Sequence, residues 1–167
     1  MAERRPPAFR SLLASQISST ADELRKSVTL RLRREHDVSL AQVRTLALIE
    51  YLQPVRLRDV ALDAGADKAQ ISRVVSSLVE RGYVVRRALA KDARSAHLEL
   101  TDSGREKLGV LVKLMQERDR VLRAALQADE ADSLTALLAR IRGTAEQLAL
   151  DEERLNRSSE ATRQKAA

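Results

Sequence analysis

The sequence predicts a mainly α-helical (α+β) fold, in which long N- and C-terminal helices flank a small lobe that closes with a two-stranded β hairpin. Three observations carry this. Five glycines and three aromatic rings (Phe9, Tyr51, Tyr83) in 167 residues leave a chain built largely of helix-forming Leu, Ala, Arg and Glu. Apolar residues recur at helical spacing through most of the chain, and only YVVRRAL and AHLEL alternate with a period of two. Finally, capping signals and glycines punctuate the middle third, where the helices must be short.

Taken in order, residues 1–7 are polar, end in Pro6-Pro7 and read as a flexible arm leading into a helix. Phe9, Leu12, Leu13, Ile17, Thr20, Leu24 and Val28 then keep a stripe to about Arg34, more apolar surface than a small lobe covers, so a partner surface is implied. Ser39 and Gln42 form a capping box with Val38 and Val43 as its staple. Val43, Leu46, Ala47, Ile49 and Leu52 are the expected inner face of that helix, which Gln53-Pro54 ends. A short helix from about Leu57 to Ala64 turns Val60 and Ala61 inward before Gly65 caps it.

The stretch DKAQISRVVSSLVERG follows at once. Asp67 and Gln70 read as a second capping box, with Ala66 and Ile71 as its staple. Ile71, Val74, Val75, Leu78 and Val79 make one buried stripe. That leaves Gln70, Arg73, Ser76, Ser77 and Glu80 outward and Lys68 and Ser72 on the shoulders, and Gly82 stops the helix. Helix, glycine turn and amphipathic basic helix make a helix-turn-helix, which offers its second helix to a major groove.

The hairpin that follows places Leu98 and Leu100 on one face and His97 and Glu99 on the other, with Ala90–Ser95 between its strands. Thr101 caps a helix carrying Leu108, Leu111, Val112, Leu114, Met115, Leu122, Ala125 and Leu126. Asp129 begins another with Leu134, Leu137, Leu138, Ile141 and Leu148. From Asp151 charged and small polar residues predict a frayed or disordered tail. The expected division is 1–38 arm and long helix, 39–101 DNA-binding lobe, 102–150 C-terminal helices and 151–167 flexible tail, the long helices being dimerisation helices by the family likeness given below.

Net charge is +6, and between Val55 and His97 nine Lys and Arg face five Asp and Glu. Most of the excess therefore surrounds the helix of 67–82, where it would neutralise phosphates; the alternative is a solvated basic face. The absence of cysteine removes disulfides, thiolate zinc sites and thiol nucleophiles. No Gly-rich phosphate loop, serine elbow or HExxH is present, so neither an enzyme nor a cofactor is expected. MAERRPPAFR lacks the apolar segment of a secretory signal and no run is long enough to span a bilayer, so a cytoplasmic protein with no membrane partner is expected.

These residues carry a family likeness. The chain resembles the MarR family of bacterial winged helix-turn-helix transcriptional regulators, most specifically in RDVALDAGADKAQISRVVSSLVERGYVVRR and in DARSAHLELTDSG, which is similar to the family's Asp-x-Arg, alternating strand and Leu-Thr-x-x-Gly. The resemblance implies a homodimeric repressor of a pseudo-palindromic operator on double-stranded DNA. In the recognition helix it points to Lys68, Gln70, Ser72, Arg73 and Ser76, of which Gln and Arg can pair bidentately with adenine and guanine. In the wing, Asp92 would hold the loop, Arg94 would enter the minor groove beside Lys91, and Arg86 and Arg87 would meet phosphates. Arg56 and Arg58 are further backbone candidates. The family's small aromatic or phenolic effectors imply a cleft, for which Arg33, His36, Arg44 and Tyr51 are the candidates.

The departures are Arg56, where a capping Thr or Ser is usual, a wing tip ALAK without the usual Pro and acidic residues, and Ala69-Gln70 in place of small hydroxyl residues. His36 and His97 raise a metal site, against the plainer reading of a helix-ending and a strand-surface histidine. The rival function is an antirepressor or helical interaction module that kept the fold without DNA.

Overall fold

The computed structural model describes residues 8–89 and 92–166, and the expected arm of residues 1–7 lies outside them. A 3-10 turn, Ala8–Ser11, precedes α1 (Leu13–His36). Then come α2 (Leu40–Leu52), β1 (Val55–Arg56), α3 (Leu57–Asp63) and α4 (Lys68–Glu80). The hairpin β2 (Val84–Leu89) and β3 (Asp92–Leu100) leads into α5 (Asp102–Arg123) and α6 (Ala128–Ala166). The chain divides into two compact units at Lys113/Leu114.

In the first unit the core forms where α2, α3 and α4 pack together and β3 closes one side. Leu46, Ile49, Val60, Val75, Leu78 and Leu98 are almost wholly enclosed there. Both helix starts around the turn are capped from the side chain. Ser39 and Gln42 make the full capping box, with Val38 and Val43 buried beside it as the expected staple. Asp67 accepts from the backbone N–H of Ala69 and Gln70.

Both α3 and α4 end in the same glycine device. Gly65 and Gly82 take left-handed backbone angles (φ 57° and 72°). This lets Ala66 N–H reach Ala61 O and Tyr83 N–H reach Leu78 O, closing the free carbonyls of each last turn. At α1 the same stop is made by Asp37, a non-glycine residue at φ 51°.

The sheet differs from expectation by one strand. Val55 and Arg56 pair with Leu98 and His97, so the order is β1-β3-β2 and the sheet has three strands. Two residues after a proline are too few to show a period of two, although Gln53 helps hold them by accepting the Leu100 N–H. β3 begins at Asp92, inside the expected loop, with an irregularity between Ala88 and Leu89.

Four more expectations need correction. Ala47 is exposed while Gln42 and Thr45 are buried, because the side of α2 that packs on its neighbours is partly polar and a search for apolar stripes passes over it. Leu12, extended at ψ 138°, interrupts the first helix between the 3-10 turn and α1. α5 stops at Arg123, before Ala125 and Leu126, which lie in the turn to α6. α6 does not fray at Asp151 but runs to Ala166. Once a helix is nucleated, Glu, Arg, Gln and Ala extend it at little cost, and Gln147 and Arg154 both donate to Asp151 along the way.

In the second unit Leu114 and Ala131 are buried, whereas Val121, Leu134, Leu148 and Leu155 are open to solvent. Among the described residues no helix is long and apolar enough to cross a membrane.

Candidate nucleic-acid interface

The polar side of α4 is presented outward because its other side is locked. Ile71, Val75 and Leu78 are buried, while Val74 and Val79 of the same stripe are only half-covered. Lys68, Gln70 and Arg73 are exposed, and Ser72 and Ser76 are half-exposed. Gln70 does not complete the expected capping box: Asp67 caps alone, which leaves the Gln70 amide free to face outward. The side chains of Lys68, Gln70 and Arg73 make no hydrogen bond or ion pair among the described residues. Ser77, expected outward, is half-buried and accepts from Gln42 Nε2 at 3.0 Å.

The wing pairs β2 with β3 so that Val84 lies opposite Leu100, Arg86 opposite Leu98 and Arg87 opposite His97. Successive strand residues point to opposite faces, so Arg86 and Arg87 do not act as a pair. Arg86 shares the inner face with Leu98 and reaches the recognition helix, its Nη2 donating to Ser76 Oγ at 3.2 Å. Arg87 is on the other face and donates through Nε to Glu99 Oε2 at 2.8 Å. In the sequence Glu99 reads only as an outward-facing strand residue beside His97. Its signal was its place two residues from the position opposite Arg87, the diagonal at which long side chains meet.

Of the remaining wing candidates, Lys91 lies outside the described residues. Asp92 and Arg94 are placed only as β3 backbone.

Arg56 occupies the cap position of α3 and makes no side-chain cap bond, as its departure from the family pattern suggests. Arg58 is exposed and donates to Asp59 at 3.1 Å. Both line a broad cleft of about 650 Å³ with Leu52, Pro54, Leu62 and His97.

The four effector candidates are not brought together. Arg33 is exposed on α1, Tyr51 is 84% exposed on α2, and His36 is half-buried with its backbone carbonyl taken by Lys107 Nζ at 3.2 Å. Next to Arg33, hydrogen bonds from Arg34 and then Arg31 hold the Glu35 carboxyl below the usual carboxylate range. Arg44 lines a cavity. About 280 Å³ in size, it lies among Arg25 and Thr29 of α1, Leu40 and Arg44 of α2, and Gln70 and Val74 of α4. Among the described residues no three His, Cys, Asp or Glu side chains gather to hold a metal ion, His36 and His97 included.

A glycine-turned pair of short helices, an outward polar face on the second and a β hairpin beside it define a winged helix-turn-helix. Residues 36–95 match the MarR family model, and over that stretch the chain is similar to this family of helix-turn-helix transcriptional regulators. The HTH-type transcriptional regulator YkoM of Bacillus subtilis (strain 168) is 27% identical over 110 residues, 66% of this chain and 71% of its own length. The HTH-type transcriptional regulator BilQ of Clostridium symbiosum (strain WAL-14163) is 33% identical over 89 residues, 53% of this chain and 62% of its own. Among solved structures, the transcriptional repressor CouR bound to a 23-mer DNA duplex is similar with a TM-score of 0.76 and 25% identity, over 84% of this chain and 99% of that one.

Proposed function

We propose that this chain is a homodimeric, sequence-specific DNA-binding repressor whose operator occupancy is set by a small aromatic acid. The observation that carries the reading is the α4 face, where Lys68, Gln70 and Arg73 stand exposed and unengaged among the described residues. An amide and a guanidinium free of internal partners are the groups suited to adenine and guanine edges in a major groove. Arg86 beside Ser76 supplies a cation at the rim of that face, while Lys91 and Arg94 are the candidates for minor-groove contact.

Dimerisation is supported by apolar surface in each unit. Phe9 and Leu13 are 73% and 62% exposed in the first, Val121 and Leu148 68% and 62% in the second. Contiguous apolar surface on long helices is what a second copy would cover. Nuclease footprinting on the DNA upstream of the chain's own gene tests the reading: two protected half-sites should appear, their centres about one helical turn (10–10.5 bp) apart. Uniform cleavage at saturating protein would refute it.

The cavity beside Arg44 supports the effector part. Its lining is mainly apolar, Arg25 and Arg44 are its cationic groups, and Gln70 belongs to both the cavity and the reading face. An aryl carboxylate seated there would take up a side chain needed for DNA, and it would shift occupancy only by its differential affinity for the two states. Benzoate at a hundredfold excess over its Kd should add about 2.7 kcal/mol to wild-type stability and much less to Arg44→Ala. Equal thermal shifts in both proteins would remove Arg44 from the site.

The Arg87–Glu99 pair yields another expectation. Glu99 holds a cation that phosphate could use, so Glu99→Gln should raise affinity for specific and random duplexes alike. It should also steepen the salt dependence by up to about one phosphate contact. An unchanged salt slope in a gel-shift series would exclude Arg87 from the backbone contacts.

A further inference from the structure

The short segment from the end of α1 into α2 is tied to two other elements by three polar bonds. Lys107 of α5 donates to His36 O, Arg81 at the end of α4 donates to Asp37 Oδ2 at 2.8 Å, and Gln42 donates to Ser77 of α4. The Asp37–Arg81 pair is solvated, Asp37 being 88% exposed, and by itself fixes little. Gln42 is different. It is 9% exposed, and both ends of its amide are engaged: Oε1 accepts the Ser39 N–H at 2.7 Å and Nε2 donates to Ser77 Oγ at 3.0 Å. Because the amide is planar, fixing the oxygen at the capping box fixes the direction in which the nitrogen reaches.

Ser77 stands seven residues after Gln70 and four after Arg73, so the three lie along one edge of α4. Whatever holds Ser77 therefore refines the rotation of that edge beyond what the buried stripe of Ile71, Val75 and Leu78 fixes. We infer that Gln42 is a positioning residue, gripping Ser77 so that Gln70 and Arg73 meet base edges at the correct angle. The inference rests on the DNA-reading function proposed above. The amide of Gln42 and the hydroxyl of Ser77 are turned toward each other, and the capping box alone would not require this second bond.

The test compares wild type, Ser77→Ala and Ser77→Thr by anisotropy on the footprinted fragment and on a random duplex. Losing one partly buried hydrogen bond should cut the ratio of specific to random affinity about fivefold in Ser77→Ala, with random binding unchanged, and Ser77→Thr should restore the ratio. A structural contribution alone would lower the melting temperature and leave that ratio intact, and this outcome would overturn the inference. If wild type shows no preference for the fragment, the DNA reading fails instead. Amide exchange then judges the link directly: faster exchange in α4 of Ser77→Ala, with α5 unchanged, upholds it, and identical exchange in α4 refutes it.

Discussion

Gly104→Ala should lower the thermal midpoint by roughly 6–12 °C, the response of a chain this size to a loss of about 3 kcal/mol. Gly104 is buried in the first turn of α5, where that turn is pinned against the end of the recognition helix. Thr101 accepts from Gly104 N–H at 2.9 Å and donates to Gly82 O at 2.6 Å, while its own N–H donates to Tyr83 O at 3.1 Å. A Cβ on Gly104 would run into the Tyr83 carbonyl, its carbon 2.9 Å away. A carbonyl held on the backbone cannot swing aside as a side chain tip could, so α5 or the Gly82 turn must shift. Gly109, on the same helix, supplies the control. Nothing lies within 4 Å of the Cβ it lacks, so Gly109→Ala should gain about 0.5–1 kcal/mol from helix propensity. Calorimetry of the two variants should therefore show shifts of opposite sign, and equal shifts would deny the close approach at Tyr83.

Gln70→Ala and Arg73→Ala should each relax base preference by about 1–3 kcal/mol, roughly 5- to 150-fold, and leave random-sequence binding nearly unchanged. Arg86→Ala should do the reverse, weakening every duplex alike and reducing the salt slope by about one. The contrast follows from where the groups stand. Gln70 and Arg73 project from α4 without internal partners among the described residues, whereas Arg86 lies on β2 at the edge of that face and reaches it only through Ser76. Competition binding against randomised half-sites separates the two patterns. Equal loss on specific and random DNA for Gln70→Ala would put the reading face elsewhere on the helix.

Much of this was legible in the sequence because it is local. The Ser39 capping box, the Asp67 cap, the two glycine stops and the stripe of α4 all depend on residues within a turn or two of one another, and each appears where expected. What the sequence hid depends on partners far along the chain. Gln42 reads as a capping residue, yet its other bond is to Ser77, 35 positions away. Arg86 and Arg87 read as one basic pair until pairing with β3 assigns them to opposite faces. β1 is too short to signal itself and exists because β3 offers it an edge. Among the effector candidates, Arg44 lines a cavity together with residues of α1 and α4, a gathering of distant stretches that a single helical wheel does not display.

On the proposed function, α4 reads DNA sequence through an electrostatically anchored lobe. Fluorescence anisotropy of the intact chain on the duplex upstream of its own gene, with unlabelled random DNA as competitor and salt varied from about 50 to 200 mM, tests it most directly. The expected result is binding that survives competition and weakens steeply with salt, log K falling by close to 0.9 for each phosphate neutralised per unit of log salt concentration. Binding that random DNA displaces fully, or that does not change with salt, would contradict it.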